Sequence, residues 1–157
     1  MLVCVDTSVL ILTQQTEPNE DQDRLWDAAR AYEQWMRESD TGVLLPTPVI
    51  SEFLTGDPGD TRDIVSRFQS FGEVADFDLR AAELTGELRH SYSEDHELGS
   101  GLERDALTVD MMISAIAIVN RASYIVTHDT SDFREITDGY ETDICGLTDP
   151  PPGQQKL

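Results

Sequence analysis

The sequence predicts an α/β fold: a parallel sheet with helices on both faces. Two observations point there. Short apolar runs alternate with stretches of helical periodicity along the chain, the pattern left by repeated strand–helix units. The 157 residues suffice for one domain with a real core, and no internal repeat divides them.

Each element has its own signal. Leu2 to Val5 reads as a buried strand, and Thr7 to Thr13 as the start of a helix. Glu17 to Asp23 is a polar, acidic connection containing Pro18. Leu25, Trp26, Ala29, Tyr32, Trp35 and Met36 then fall at helical spacing, up to Gly42. Val43-Leu44-Leu45 is a short strand. Thr47 is placed to cap the next helix, with Pro48 at its first position. That helix stops near Gly56, before Pro58-Gly59. Ile64, Val65, Phe68 and Phe71 mark the inner face of another helix. Val74 to Phe77 is a third strand, and Ala81, Leu84, Leu88 and Tyr92 mark the following helix. Glu94 to Gly101 is a connector. It has glycines but lacks the Lys-Ser/Thr ending of a phosphate-binding loop. Thr108 is the expected N-cap of a helix in which Asp110 lies in the first turn and Met111 to Val119 are apolar nearly all round, hence buried. Tyr124 to Thr127 and Thr142 to Leu147 are the last two strands. The domain is expected to span residues 1–147. The tail 148–157, with Pro150-Pro151-Pro152-Gly153, is expected to be disordered.

Acidic residues number 31 against 11 basic ones, a net charge of -20, and Lys156 is the only lysine. Disorder can produce such a balance, but the regular apolar segments argue against it. A surface adapted to high salt, from a halophilic source, fits better, because the Debye length falls to ~3 Å at 1 M salt. The acidity also argues against broad electrostatic attraction to nucleic acid. No apolar run approaches the ~20 residues of a membrane helix, and no secretory signal is present. The first strand begins at Leu2, so an intracellular, cytoplasmic protein without a membrane association is expected. Cys4 and Cys145 make neither a disulfide framework nor a four-ligand zinc site and read as small buried hydrophobes.

The chemistry lies in acids placed against apolar elements. Asp6 closes the first strand, Glu52 rides the helix after the second, and Asp110 leads the long apolar helix. Asp129 follows the fourth strand, with Asp132 one turn on. In open parallel sheets, ligands bind beyond the carboxyl ends of the strands, where Asp6 and Asp129 stand. Two carboxylates ~6 Å apart repel by ~3 kcal/mol at an effective dielectric of 20. Four together make six such pairs, comparable to the stability of a whole domain. Proton uptake relieves this, and so does a hard dication: Mg2+ or Mn2+ suits an all-oxygen set. One or two such ions serve phosphodiester hydrolysis.

Each acid also has an ordinary reading. Asp6 can cap the first helix, Glu52 can be a solvated helix residue, and Asp110 can complement a helix dipole. Asp129 and Asp132 can be turn residues. Thr7, Ser8 and Thr127 can orient carboxylates or merely cap locally, and His128 reads as a loop histidine. The joint pattern favours the metal site. A phosphohydrolase of the haloacid-dehalogenase type wants a second aspartate two residues after the first, where Ser8 stands. A response-regulator receiver wants a strand-end lysine, which is missing.

The chain resembles the PIN domain family, in particular VapC-type toxin ribonucleases, over roughly Leu2 to Leu147. Four pieces carry the resemblance: Val5-Asp6-Thr7-Ser8, Val49-Ile50-Ser51-Glu52-Phe53, Asp110 ahead of Ile113-Ser114-Ala115-Ile116-Ala117, and Val126-Thr127-His128-Asp129-Thr130-Ser131-Asp132-Phe133. It implies a three-layer α/β/α fold and a Mg2+- or Mn2+-dependent endoribonuclease. Asp6, Glu52, Asp110 and Asp129 would be its catalytic metal ligands, with Asp132 sharing or replacing the last. Ser8 and Thr127 match hydroxyl positions that support those acids. A homodimer and an inhibitory antitoxin protein are implied as well. The chain departs from the family in having few cations to offer RNA and in its long acidic stretch around Glu17 to Asp23. The expected function is cleavage of RNA phosphodiesters. The alternatives are a catalytically inactive PIN-fold module that binds a protein, and an RNA-processing PIN nuclease without an antitoxin.

Overall fold

A computed structural model of the chain describes residues 1–15, 17, 22–56, 61–70, 72–96 and 101–154. The elements run β1 (Leu2–Val5), α1 (Thr7–Gln14), α2 (Asp23–Glu38), β2 (Gly42–Pro46), α3 (Thr47–Gly56) and α4 (Thr61–Gln69). They continue through β3 (Glu73–Ala75), α5 (Leu79–Asp95), α6 (Leu102–Val119), β4 (Tyr124–Thr127), α7 (Thr130–Ile136) and β5 (Asp143–Gly146). All strand pairs are parallel, in the order β3-β2-β1-β4-β5. α1 packs on α2 and α3, while α6 packs on α5 and α7. The three-layer α/β/α arrangement expected from the sequence is the one observed.

Strand order reverses between β1 and β4, the kind of switch point where a crevice opens beyond the strand ends. The sheet centre is fully apolar: Val3, Cys4, Val5, Ile125 and Val126 are 0% exposed. Both cysteines are buried and form no disulfide, as small hydrophobes should. The second half of α6 is buried nearly all round, with Met111 and Ile113 to Ala117 inside. It crosses against α3 as well as the sheet. That crossing brings residues of α3 and α6 to the same edge.

Several boundaries differ from the sequence reading for physical reasons. α6 begins at Leu102, two turns before the expected start, so Thr108 is not its N-cap; its hydroxyl donates to Arg104 O at 2.7 Å inside the helix. Residues 101–106 are all exposed, so no apolar periodicity marks those turns. Thr47 Oγ1 accepts from Phe77 N at 3.0 Å and so anchors the chain leaving β3. β3 ends at Ala75 because Asp76 to Asp78 turn into the cap of α5. Asp78 N donates to Asp76 O at 3.0 Å, and Asp78 Oδ1 accepts from Ala81 N at 2.9 Å. α5 runs on to Asp95, into the expected connector. In α4, Val65 is half-buried. Residues 18–21 of the acidic connection, Pro58, Gly59, Phe71 and the side chains of Ile64 and Phe68 lie outside what is described.

Past β5 the chain turns back on α2. The buried Tyr32 hydroxyl lies 2.9 Å from Cys145 Sγ and 3.0 Å from Asp149 O, and Gly146 N donates to Asp149 Oδ2 at 3.1 Å. Pro152 is buried, and residues 155–157 lie outside the described part. Tyr32→Phe removes this hydroxyl while keeping the ring. It should cost about 1 kcal/mol, or about 2–4 °C in a melt of a domain this size. An unchanged melting temperature would show that the chain return contributes nothing to stability.

No helix among the described residues is long and apolar enough to cross a membrane.

Candidate functional site

Asp6 stands at the end of β1, where its N–H donates to Val126 O of β4 at 3.1 Å. Its carboxylate is 6% exposed and held by three donors. Thr7 N reaches Oδ1 at 2.6 Å; Ser8 Oγ and Thr127 Oγ1 both reach Oδ2 at 2.8 Å. Such bonds to a charged acceptor are short and directional, so the side chain is fixed. Asp6 is also the N-cap residue of α1. The capping reading of Asp6 therefore holds.

Two hydroxyls extend this network. Ser8 Oγ accepts from His128 N at 3.1 Å, and Thr127 Oγ1 accepts from Asp129 N at 3.0 Å. Thr127 thus links the Asp6 carboxylate to the backbone that presents Asp129. His128 is exposed and contributes its backbone here.

Glu52 is half-buried on α3, and its Oε2 accepts from the Thr7 hydroxyl. Asp110 is half-buried on α6, two turns inside the helix. The field of a helix terminus fades within the first turn, so the dipole reading of Asp110 falls away. Burial pushes its carboxyl up to about 8, and the charges of Asp6, Glu52, Asp132 and Asp129 add to that push. Asp129 is exposed at the N-cap position of α7 but makes no side-chain cap bond; its Oδ1 accepts from Ser131 Oγ at 2.9 Å. Asp132 is half-buried, and its carboxyl is raised by burial, then by Asp129 and Glu135.

All five acids singled out in the sequence therefore lie in one electrostatic neighbourhood, contributed by the end of β1, α3, α6, the β4–α7 turn and α7 itself. They are not drawn into a closed cage. Among the described residues, no group of three or more His, Cys, Asp or Glu side chains is arranged to hold an ion. Magnesium-type sites commonly use one or two carboxylates and keep several waters, so a cage of three is not required. The donors are all oxygen, the set that suits Mg2+ or Mn2+. After burial, Asp6 and then Glu52 are the neighbours whose charges act most strongly on Asp110.

The sequence offered Thr7 as a residue able to orient a carboxylate but not which one: its hydroxyl serves Glu52, 45 residues away, and nothing local predicts that bond. Sequence reasoning missed one partner. Ser131 supports Asp129, and here a signal existed: a serine two residues after an aspartate at a helix start commonly bonds back to it.

Thr127→Val keeps the shape but removes the donor to Asp6 and the acceptor for Asp129 N. It should cost roughly 1–3 kcal/mol because both groups are left short of a partner. A melting curve that matches wild type would show that the Asp6 network does not depend on Thr127.

A family model described as the PIN domain matches residues 3–139. A search of curated proteins found no significant match. Solved structures show the same fold. VapBC2 from Rickettsia felis bound to a DNA fragment from their promoter is 18% identical, with a TM-score of 0.64 over 93% of this chain and 98% of that one. FitAcB from Neisseria gonorrhoeae is 17% identical, with a TM-score of 0.61 over 92% and 97%. DNA-bound VapBC from Salmonella typhimurium is 23% identical, with a TM-score of 0.62 over 92% and 98%.

Proposed function

The chain belongs to the PIN domain family, and from that membership we propose that it is a divalent-metal-dependent endoribonuclease. The observation that carries this reading is Asp110. Its carboxyl is half-buried on α6 and feels Asp6, Glu52, Asp132 and Asp129 at once. Four like charges acting on one half-buried acid are costly without a compensating cation or proton. The proposed metal ligands are Asp6, Glu52, Asp110 and Asp129, with Asp132 sharing or replacing Asp129.

When bound, a cation of this kind makes water a better nucleophile near neutral pH and offsets charge on the leaving oxygen. The protein's own part is positioning. Thr7, Ser8 and Thr127 lock the Asp6 carboxylate, and the Thr7 hydroxyl ties Glu52 to the same turn. Water adds to phosphorus, the bond to the leaving ribose oxygen breaks, and that oxygen takes up a proton.

The biological role that fits best is that of a VapC-type toxin held by a cognate antitoxin protein, acting as a homodimer on RNA. The shared fold with the VapBC structures supports it, as does the family resemblance of the four sequence pieces. An antitoxin can insert an arginine among the acids, a pairing that charge complementarity favours.

The test is RNA cleavage by the purified protein in manganese, with and without chelator. Cleavage that stops on chelation is expected. Cleavage that persists in chelator, or none in manganese with folded protein, would overturn the reading.

A further inference from the structure

We propose that the cavity between α5 and α7 is a nucleobase-binding subsite, built on the stacked Tyr92 and His96 and placed beside the acidic cluster. The proposal rests on the nuclease reading above and adds where a base next to the cleaved phosphate is held.

Tyr92 and His96 stand one turn apart at the end of α5, with ring centroids 4.5 Å apart and planes 29° from parallel. The pair lines a cavity of about 520 Å3, together with Arg134, Glu135, Asp138 and Tyr140. That volume falls within the ~300–1,000 Å3 of small-molecule sites. The cavity is rich in flat rings. His96 has 47% of its side chain exposed, and Tyr140 is 40% exposed. Glu135 fixes the pair from across the gap: Tyr92 Oη donates to Glu135 Oε2 at 3.4 Å, and His96 Nε2 lies 3.8 Å from the same oxygen.

The same helix connects this cavity to the acids. Glu135 follows Asp132 by three residues on α7, so the two share a face. Asp132 is close enough for its charge to act on the Tyr92 phenol. Arg134 lies on the cavity wall and makes no ion pair or hydrogen bond among the described residues. It also lines, with Asp138 and Tyr140, a neighbouring cavity of about 560 Å3. An aromatic platform with a cation at its rim is how single-stranded nucleic acid is held without base-pair readout. Glu135 and Asp138 offer acceptors for the N–H edge of a base.

Charge makes this route more than a convenience. A chain of net charge -20 gains little from long-range attraction to a polyanion. Stacking persists at salt concentrations that screen Coulombic contacts. For this protein, affinity for RNA has to come largely from such contacts.

The experiment compares binding of labelled oligoadenylate of about 12 nucleotides, a length spanning a single-strand site, with an abasic oligomer of the same length. Fluorescence anisotropy is read in chelator, so cleavage does not intervene. Wild type and Tyr92→Phe should bind oligoadenylate about 10-fold or more tightly than Tyr92→Ala, the loss expected for one stacked base. Wild type should also prefer it over the abasic oligomer. His96→Ala should weaken binding too and stands in if Tyr92→Ala does not fold. Equal binding by wild type and both alanine variants, or no preference over the abasic oligomer, would overturn the subsite. Cleavage of RNA in manganese is measured in parallel. If cleavage persists while base-dependent binding fails, the subsite is wrong and the nuclease reading stands. If base-dependent binding is found without cleavage, the nuclease reading is what fails.

Discussion

Asp110→Asn is expected to lower manganese-dependent RNA cleavage by more than about 100-fold. Loss of an outer-shell partner alone commonly costs 10–100-fold in metal affinity or activity, and Asp110 is the acid on which the other four act. The same substitution should raise the melting temperature of the metal-free protein at about pH 8. Burial and neighbouring charges push the Asp110 carboxyl up from 3.8 to about 8 in the folded state. Between those values the folded protein holds a proton that the unfolded chain has released. Stability contributed by this group therefore falls as pH rises across that window, and the loss is complete only above it. Asparagine carries no charge and removes the slope. The gain over wild type should thus be small near pH 5 and largest at pH 8 and above. Melting curves at both values, without metal, measure it. Equal cleavage by both proteins would remove Asp110 from the catalytic set. A constant stability difference across pH would show that burial and the neighbouring acids do not hold a proton on Asp110 in that window.

The second large effect is on stability through metal binding. A ligand that binds only the folded state stabilises it by ~2.7 kcal/mol at 100 times its dissociation constant. For a domain of this size that corresponds to a rise of about 5–10 °C. Manganese should produce such a rise, and more of it at pH 8 than at pH 5. The reason is competition: Asp110 holds a proton across much of that range, and a cation must displace it. Asp110→Asn and Glu52→Gln should each reduce the shift. Measurements in high salt keep self-repulsion from dominating, because screening shortens the reach of the net charge. No shift with millimolar manganese in folded protein would favour a protein-binding PIN fold without metal chemistry.

Much of the fold was legible because its signals are local. Leu2 to Val5, Val43 to Leu45 and Tyr124 to Thr127 are short apolar runs, and each became a strand of the sheet. The stretch from Met111 to Val119, apolar except for Ser114, could only be buried, and most of it is. Asp6 and Asp129 were visible as site candidates for the same reason, since each follows such a run. The first turns of α6 were not legible. Gly101 to Ala106 is exposed throughout, and a helix without a buried face leaves no hydrophobic period. Thr47 looked like a cap because capping is the local option for a threonine there. Its actual partner, Phe77, sits on another strand's exit.

The sequence by itself determined the strands and most of the helices, though not α7 or the first turns of α6, and which acids border them, because burial imprints a period on neighbouring residues. Only the tertiary structure decided how the acids are held. Thr127 meets Asp6 across 121 residues, Thr7 meets Glu52 across 45, and Asp110 feels four carboxylates from other elements. It also decided that Tyr92 and His96 of α5 face Arg134 and Glu135 of α7 across one cavity. Those pairings follow from strand order and from the crossing of α6 over the sheet. Neither leaves a mark on a residue's neighbours in the chain, so both appear only once the layers have packed.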